Sequence, residues 1–355
     1  MAVAIPERIE DIDAEWIDAI LREAGVAMDG RVAAVEPTRI GVEIGFLSQT
    51  FRVAVTYEGG AARAPGSLVV KLEPTASVFR DAERGIKAFE REIRFYQEIA
   101  PRVALRLPRV FHAAVSPQAS LLVMEDLSAL RHVDQIHGLR QAEVMGTVRQ
   151  IAKLHAAFWG HTDEPTLRWI PAYDHFWEDG FATTWPTFAE AYELRIGPEG
   201  VRLGERIAAQ IDALMDRLRS RTATLIHADL RADNLLFAAD DAVILDWQLV
   251  TRSLAAIDVA RVLAGSEPPA ERRGHQFEIF AAWHEALLAA GVDDYPLEQA
   301  LDDFRLALLY TLLIPIRSFG MVGPDAGSRT LRLVDCQADR IFAAAIELDA
   351  GRALD

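Results

Sequence analysis

Cysteine is nearly missing from this chain: Cys336 stands alone among 355 residues, which excludes intramolecular disulfides and zinc-thiolate clusters and fits a reducing compartment. Positive charge is scarce as well. Lys and Arg number 37 against 53 Asp and Glu, a net charge of −16 that argues against nucleic acid or an anionic membrane surface as partner. Any phosphate ligand would need local donors. Long apolar runs are also lacking, since the longest, LALLYTLLIPI at 306–316, is interrupted by Pro315 and falls short of the ~20 residues that cross a bilayer. The opening MAVAIPERIEDID has no basic segment followed by an apolar one, so no secretory signal is expected and the chain reads as soluble and cytoplasmic. No internal repeat is visible, and no G-x-G-x-x-G run marks a phosphate loop.

What is present changes texture near residue 126, and the length exceeds the usual range of a single core, so two domains are expected, 1–125 and 126–355. In the first, Asp13 can cap a helix with Trp16, Ile17, Ile20 and Leu21 on one face, ended by Gly25. Strand-like pieces follow in VAAVEP, FLSQTFRVAVTY and SLVVKL, the last two separated by the turn-rich EGGAARAPG. A helix is expected over 83–100, stopped by Pro101, and RLPRVFHAAV and SLLVMEDL read as two more strands. The second domain is mostly helical. Its helical segments are LRQAEVMGTVRQIAKLHAAFW, VRLGERIAAQIDALMDRL, QFEIFAAWHEALLAAG, LDDFRLALLYTLL and RTLRLVDCQADRIFAAAIEL, with short strands only in LIHADL, NLLFA and AVILDW. The fold class is α+β: a small antiparallel sheet with one helix, then a larger helical part.

The segment LIHADLRADNLLF, 225–237, sets His227, Asp229, Arg231, Asp233 and Asn234 between apolar flanks, where a core would ordinarily form. With Asp246 at the end of the apolar run VIL, the pattern is H-x-D-x-x-x-x-N followed by a strand-terminal Asp. Phosphoryl transfer calls for these residue types, because its chemistry is mostly positioning and charge neutralisation. Asp229 suits the carboxylate that orients an attacking hydroxyl and accepts its proton. Asn234 and Asp246 suit Mg2+, which takes hard oxygen ligands in octahedral geometry. A metallohydrolase with His227, Asp229 and Asp233 as ligands is an alternative, although no second histidine lies at ligand spacing.

HADLRADN with ILDW resembles the catalytic and metal-binding loops of the aminoglycoside phosphotransferase and choline kinase group, which has the two-lobed protein kinase-like fold. The resemblance runs from about residue 40 to 265, and AFEREIRFYQE, DQIHGL and RQIAKLHAAFW are closest to the ecdysteroid kinase-like branch. It implies an ATP- and Mg2+-dependent kinase. Lys71 in SLVVKL would contact the α and β phosphates, a role that agrees with the cost of leaving an ammonium unpaired in an apolar strand. Glu92 is favoured as its carboxylate partner, with Glu90 a rival. Gly45 and Ser48 would shape the turn whose backbone amides cap the phosphates. Glu125 to Leu127 would face adenine from the hinge. The absence of an A-P-E-closed activation segment, and of Arg before Asp229, points to a small-molecule kinase and away from a protein kinase.

The acceptor is then a small hydroxylated molecule. WIPAYDHFWEDGFATTWPTFAEAYE, 169–193, is the densest aromatic stretch; its rings either pack helices together or, through Trp177, Phe181 and Trp185, line the acceptor pocket. A hydrophobic alcohol fits these rings better than a polycationic aminoglycoside. A nucleotide-binding module without turnover and an aminoglycoside-type antibiotic kinase are the remaining alternatives. His227 is expected to orient its loop, Asp258 to cap a helix and brace that loop, His155 to be a satisfied helix histidine, and Cys336 to be a small buried residue.

Overall fold

Asp13 has extended backbone and its Oδ1 accepts from the Trp16 amide at 2.8 Å, so helix α1 (Ala14–Glu23) starts where a cap can satisfy its first free donors. Its apolar stripe, Trp16, Ile17, Ile20 and Leu21, is buried. That stripe packs in one cluster with alternate residues of the sheet: Phe51, Val53, Val55, Leu68, Val70, Leu72, Leu121 and Val123. Strand side chains alternate between faces, so this set defines the covered face of the sheet. Burying each such side chain contributes about 1.5–3 kcal/mol.

The sheet is made of β1 (Arg31–Ile40), β2 (Gln49–Glu58), β3 (Ser67–Leu72), β4 (Val110–Val115) and β5 (Ser120–Glu125), in the order β1-β2-β3-β5-β4. Every neighbouring pair is antiparallel, with Lys71 opposite Thr50 on one side and Leu122 on the other. Helix α2 (Ala88–Arg94) lies between β3 and β4 in the chain and continues as a π turn over Phe95–Ile99 and a 3-10 turn over Ala100–Arg102. The expected helix therefore runs on in loosened form through Pro101 to Arg102 instead of stopping before it, and positions 83–85 of its expected start lie outside the described residues.

The structure is a computed structural model that describes residues 5–41, 48–60, 64–73, 86–116, 119–172, 180–322 and 327–355. The chain divides into two compact units: Met1–Arg102, Leu107–Leu130 and Leu245–Leu249 form the first, and Val103–Arg106, Arg131–Ile244 and Val250–Asp355 the second. The five residues Leu245–Leu249 thus return to the first unit.

The second unit carries two small antiparallel sheets. One joins β6 (Arg131–His132), β8 (Leu235–Ala238) and β9 (Asp241–Ile244); the other pairs β7 (Ala223–Ile226) with β10 (Thr251–Leu254). Its helices are α3 (Gln141–Ala157), α4 (Phe181–Arg219), α5 (Ala256–Ser266), the single turn α6 (Pro269–Arg272), α7 (Gln276–Ala289), α8 (Leu297–Thr311), α9 (Leu313–Met321) and α10 (Ser328–Glu347). Helix α4 is two helices folded at Gly197, whose φ of 67° and ψ of 173° break the helical path. Below the bend, Trp185 lies so close to Gly204 that a Cβ there would sit 1.9 Å from the indole. The span Leu297–Met321 is long and apolar enough to cross a membrane, yet 67% of its apolar window is buried within the unit, as expected for core helices.

Candidate functional site

Leu68, Val70 and Leu72 face the α1 cluster, so the β3 alternation turns Lys71 to the opposite face of the sheet, toward α2. Lys71 is 9% exposed and Glu92 fully buried. The ammonium Nζ donates to both carboxylate oxygens of Glu92, at 2.8 and 2.7 Å, and to Asp246 Oδ1 at 3.1 Å. Burial pulls the Lys71 pKa down, but Asp246 and Glu92 outweigh it and hold the group above its ordinary value. Glu90 is half-exposed and pairs instead with Lys87 and Arg94 at 3.6 and 3.8 Å. Helical spacing explains the choice: Glu90 and Glu92 lie about 200° apart around the axis, so only one can face the sheet.

Two carboxylates against one ammonium leave this cluster one negative charge in excess. Asp246 carries it outward: its side chain is 37% exposed, and its backbone is left-handed at φ 65°. The following residues are anchored to α2. Trp247 stacks on Phe95 at 3.8 Å between centroids and 6° between planes, and Gln248 Nε2 reaches Glu92 Oε2 at 3.4 Å. The π turn that begins at Phe95 sits at this contact, a place where such turns often mark function.

Of the remaining residues singled out in this unit, Ser48 immediately precedes β2 and is half-buried, whereas Gly45 lies outside the described residues. Glu125 ends β5, its amide donating to Arg109 O at 2.8 Å. Asp126 is tied back by Ser67 Oγ at 2.6 Å, the Ser128 amide at 3.0 Å and Arg52 at 2.9 Å. Burial raises its pKa, but these three partners together bring it below the usual carboxylate range. Leu127 offers its carbonyl to Leu130 N at 2.8 Å, and its own amide has no protein partner among the described residues.

In the second unit, β7 delivers His227 and left-handed Ala228 (φ 67°) into the loop. Asp258, fully buried, accepts the amides of His227 and Ala228 at 2.7 and 2.9 Å. It braces the loop as expected, but it lies inside the first turn of α5 and not at its cap. His155 completes the brace: Trp283 Nε1 donates to its Nδ1 at 3.1 Å, which puts the proton on Nε2, 3.2 Å from Asp258 Oδ2. His227 Nδ1 in turn accepts the Asp229 amide at 3.2 Å.

Asp229 receives three donors: Arg261 at 2.9 Å on Oδ1, and Arg231 and Asn234 Nδ2, both at 3.1 Å, on Oδ2. Burial would raise its pKa, but the two guanidinium groups hold it below the usual range. Asn234 also donates to the Asp229 carbonyl at 2.9 Å, so its Nδ2 is committed and its Oδ1 is left without a protein partner among the described residues. Arg231 continues to Asp233, and Arg329 joins Asp233 to Asp134. The result is an alternating series of six charges, Arg261, Asp229, Arg231, Asp233, Arg329 and Asp134.

Sequence reasoning did not single out Arg261, Arg329 or Gln135. Arg261 was detectable in principle, as the one cation, beside the acid Asp258, in an α5 whose every residue is buried, a signal like the one that marked Lys71. Nothing local marks the other two. Phe181 and Trp185 are 2% and 6% exposed, stacked with each other at 6.1 Å and, through Trp185, with Phe342 at 6.4 Å, so little of either ring faces solvent. Trp177 lies outside the described residues. Cys336 is half-buried, its Sγ 3.8 Å from Gln135 O.

Among the described residues no three His, Cys, Asp or Glu side chains form a metal-holding group, and Asp229 and Asp233 are taken up by arginines, which leaves the metallohydrolase alternative without a ligand set. Mg2+ asks for something different: few hard oxygens, with the nucleotide and water supplying the rest. Within its own unit, Asn234 Oδ1 in the second and the outward carboxylate of Asp246 in the first are each hard oxygens of that kind.

The ecdysteroid kinase-like family model matches residues 44–291. Among solved structures, a microcompartment-associated aminopropanol kinase is similar with a TM-score of 0.54 at 14% identity, covering 95% of this chain and 99% of that one. The choline kinase of Cryptosporidium parvum Iowa II gives 0.52 at 14% identity, covering 89% of each chain, and aminoglycoside phosphotransferase APH(2'')-Ib in its ADP-bound form gives 0.50 at 14%, covering 93% and 99%. A search of curated proteins finds no significant match. At these identities the structural likeness establishes the fold, which is the protein kinase-like one.

Proposed function

The chain belongs to the ecdysteroid kinase-like family, and from that premise we propose that it is a phosphotransferase that moves the γ-phosphate of ATP to a hydroxyl of a small molecule with the help of Mg2+. The observation that carries this reading is the buried contact of Lys71 with Glu92 and Asp246, which holds a cation and an outward carboxylate side by side.

In this reading Lys71 Nζ, positioned by Glu92, receives the α and β phosphates. The Leu127 amide and Glu125 carbonyl meet adenine, with Asp126 holding that segment to the sheet. Ser48 stands at the phosphate end of β2, where Gly45 would also contribute. Asn234 and Asp246 would hold Mg2+, which supplies neutralisation of phosphate charge. Asp229 accepts a hydrogen bond from the acceptor hydroxyl and takes its proton as the phosphoryl group arrives. Its lowered pKa suits early orientation and late proton transfer, as expected for a loose transition state. The acceptor is proposed to be a hydrophobic alcohol. A polycation needs uncompensated carboxylates, and Asp229, Asp233 and Asp134 are each already matched by a guanidinium.

The test is a thermal-shift screen of alcohols with Mg2+ and a non-hydrolysable ATP analogue, followed by phosphate-transfer assays on the hits. Ligands selective for the native state raise Tm. A shift with nucleotide and transfer to at least one alcohol is expected; a nucleotide shift with no transfer across the panel would leave a binding module.

A further inference from the structure

Gln135 is wholly buried, and all of its polar atoms are used. Its Oε1 accepts the Ala232 amide at 2.8 Å and Ser266 Oγ at 3.1 Å, while its Nε2 donates to Gly265 O at 2.7 Å. Its backbone amide donates to Asp233 Oδ1 at 2.9 Å. Gln135 and the loop of Asp229 and Asn234 thus grip each other twice, each through a side chain on the other's backbone. Ala232 opens the 3-10 turn Ala232–Asn234, where an amide lacks an intrahelical acceptor, so outside oxygens set the turn: Gln135 Oε1 at 2.8 Å is the nearer, and Ser266 Oγ, itself bonded to Gln135, shares the amide at 3.1 Å.

The loop bearing Gln135 is held from behind. Arg340 of α10 donates to the carbonyls of Gln135 and Ile136, both at 2.7 Å, and Arg329 binds Asp134. Gly138 has φ +87°, and a Cβ there would lie 2.7 Å from Ser266 O, so this loop is packed where only glycine fits.

We infer that Gln135 is a positioning residue for phosphoryl transfer: through Ala232 and Asp233 it sets the loop that presents Asp229 and Asn234, with α10 as its backing. The kinetic consequence rests on the phosphotransferase reading; the structural one does not. Misplacement of reacting groups by about 1 Å costs on the order of 100-fold in rate, so a brace of this kind acts on kcat without touching a ligand.

The experiment compares the full-length protein with Gln135→Leu, which keeps size and loses both polar ends, and Gln135→Glu, which keeps an acceptor for the Ala232 amide. Hydrogen exchange at residues 229–236 and in α3 is measured beside kcat, acceptor KM and nucleotide Kd, with Asp229→Ala in parallel. Gln135→Leu should exchange ~10-fold faster at 229–236 with α3 unchanged, and lose ~10- to 100-fold in kcat while nucleotide Kd moves less than about threefold. Gln135→Glu should recover part of kcat. Unchanged exchange at 229–236 overturns the inference whatever the kinetics, as does a Gln135→Leu enzyme with native kcat. If Gln135→Leu does not fold, Gln135→Glu decides: protection retained at 229–236 supports the brace, and protection lost despite the retained acceptor overturns it. If the parent protein transfers phosphate to neither alcohol nor water, the phosphotransferase reading falls, and exchange alone judges Gln135.

Discussion

Lys71 and Glu92 meet in a bidentate contact, Nζ to both carboxylate oxygens within 2.8 Å, one residue 9% exposed and the other not at all. Removing one member of a buried pair strands the other. Lys71→Met is therefore expected to cost ~3–5 kcal/mol in urea unfolding, and Lys71→Met with Glu92→Gln less than the sum of the two single changes. Additive losses in the double-mutant cycle would show that the pair does not act as one.

Asp229→Ala should lower turnover by about 10²- to 10⁴-fold with nucleotide affinity nearly intact, because in the proposed reading this carboxylate serves the acceptor hydroxyl and not the nucleotide. Isothermal titration with an ATP analogue and a steady-state assay separate the two effects. Activity within tenfold of the parent would remove Asp229 from the role of base.

Asp258, fully buried, accepts two loop amides and pairs with the His155 ring. Asp258→Ala leaves those donors unsatisfied at about 1–3 kcal/mol each, so a loss of several kcal/mol is expected. A Tm close to the parent's would mean that water replaces the carboxylate.

Stability should fall in acid partly through Glu143. Burial raises its pKa, but the Arg140 amide and the Arg140 and Arg131 guanidinium groups outweigh that and hold it below the ordinary 4.5. A carboxyl whose folded pKa is depressed stabilises fully above its unfolded pKa, and the contribution disappears as pH drops through the folded value. Urea midpoints from pH 7 to pH 3 should therefore decline less steeply in Glu143→Gln than in the parent. Parallel curves would exclude Glu143 as a source of the acid limb.

Gly204 faces the Trp185 indole at a distance no Cβ can share. Gly204→Ala should destabilise the second unit by ~1–3 kcal/mol through overpacking, despite alanine's better helix propensity. A stabilised variant would show that the two halves of α4 can slide.

The residues legible in the sequence were those whose polarity conflicts with their surroundings. Lys71 in an apolar strand, Asp229 and Asn234 between apolar flanks and Asp246 at a strand end all announce a cost that something must offset. The α1 stripe and the five strands of the first unit followed from period and punctuation. Pairing across long separations left no such mark. Gln135 looks like an ordinary loop residue, and Arg329 like an ordinary residue of α10, until that helix is brought beside a loop some 200 positions earlier in the chain. Strand β10 is a stretch of mixed polarity, TRSL, that becomes a strand only because β7 offers it a partner. The aromatic density of 169–193 was visible, but whether a ring fills a core or lines a cavity depends on the opposite wall, and for Trp185 that wall is Gly204 and Phe342.

At position 246 the main chain adopts a conformation that glycine enters freely and an L side chain enters at about 1–2 kcal/mol. Glycine there would relieve that penalty but would also take away the carboxylate that sits 3.1 Å from the buried Lys71 ammonium. In the proposed reading the acid is kept at this spot for the metal, and a library randomised at this codon and sorted separately for folding and for phosphate transfer would tell whether the two demands select different residues.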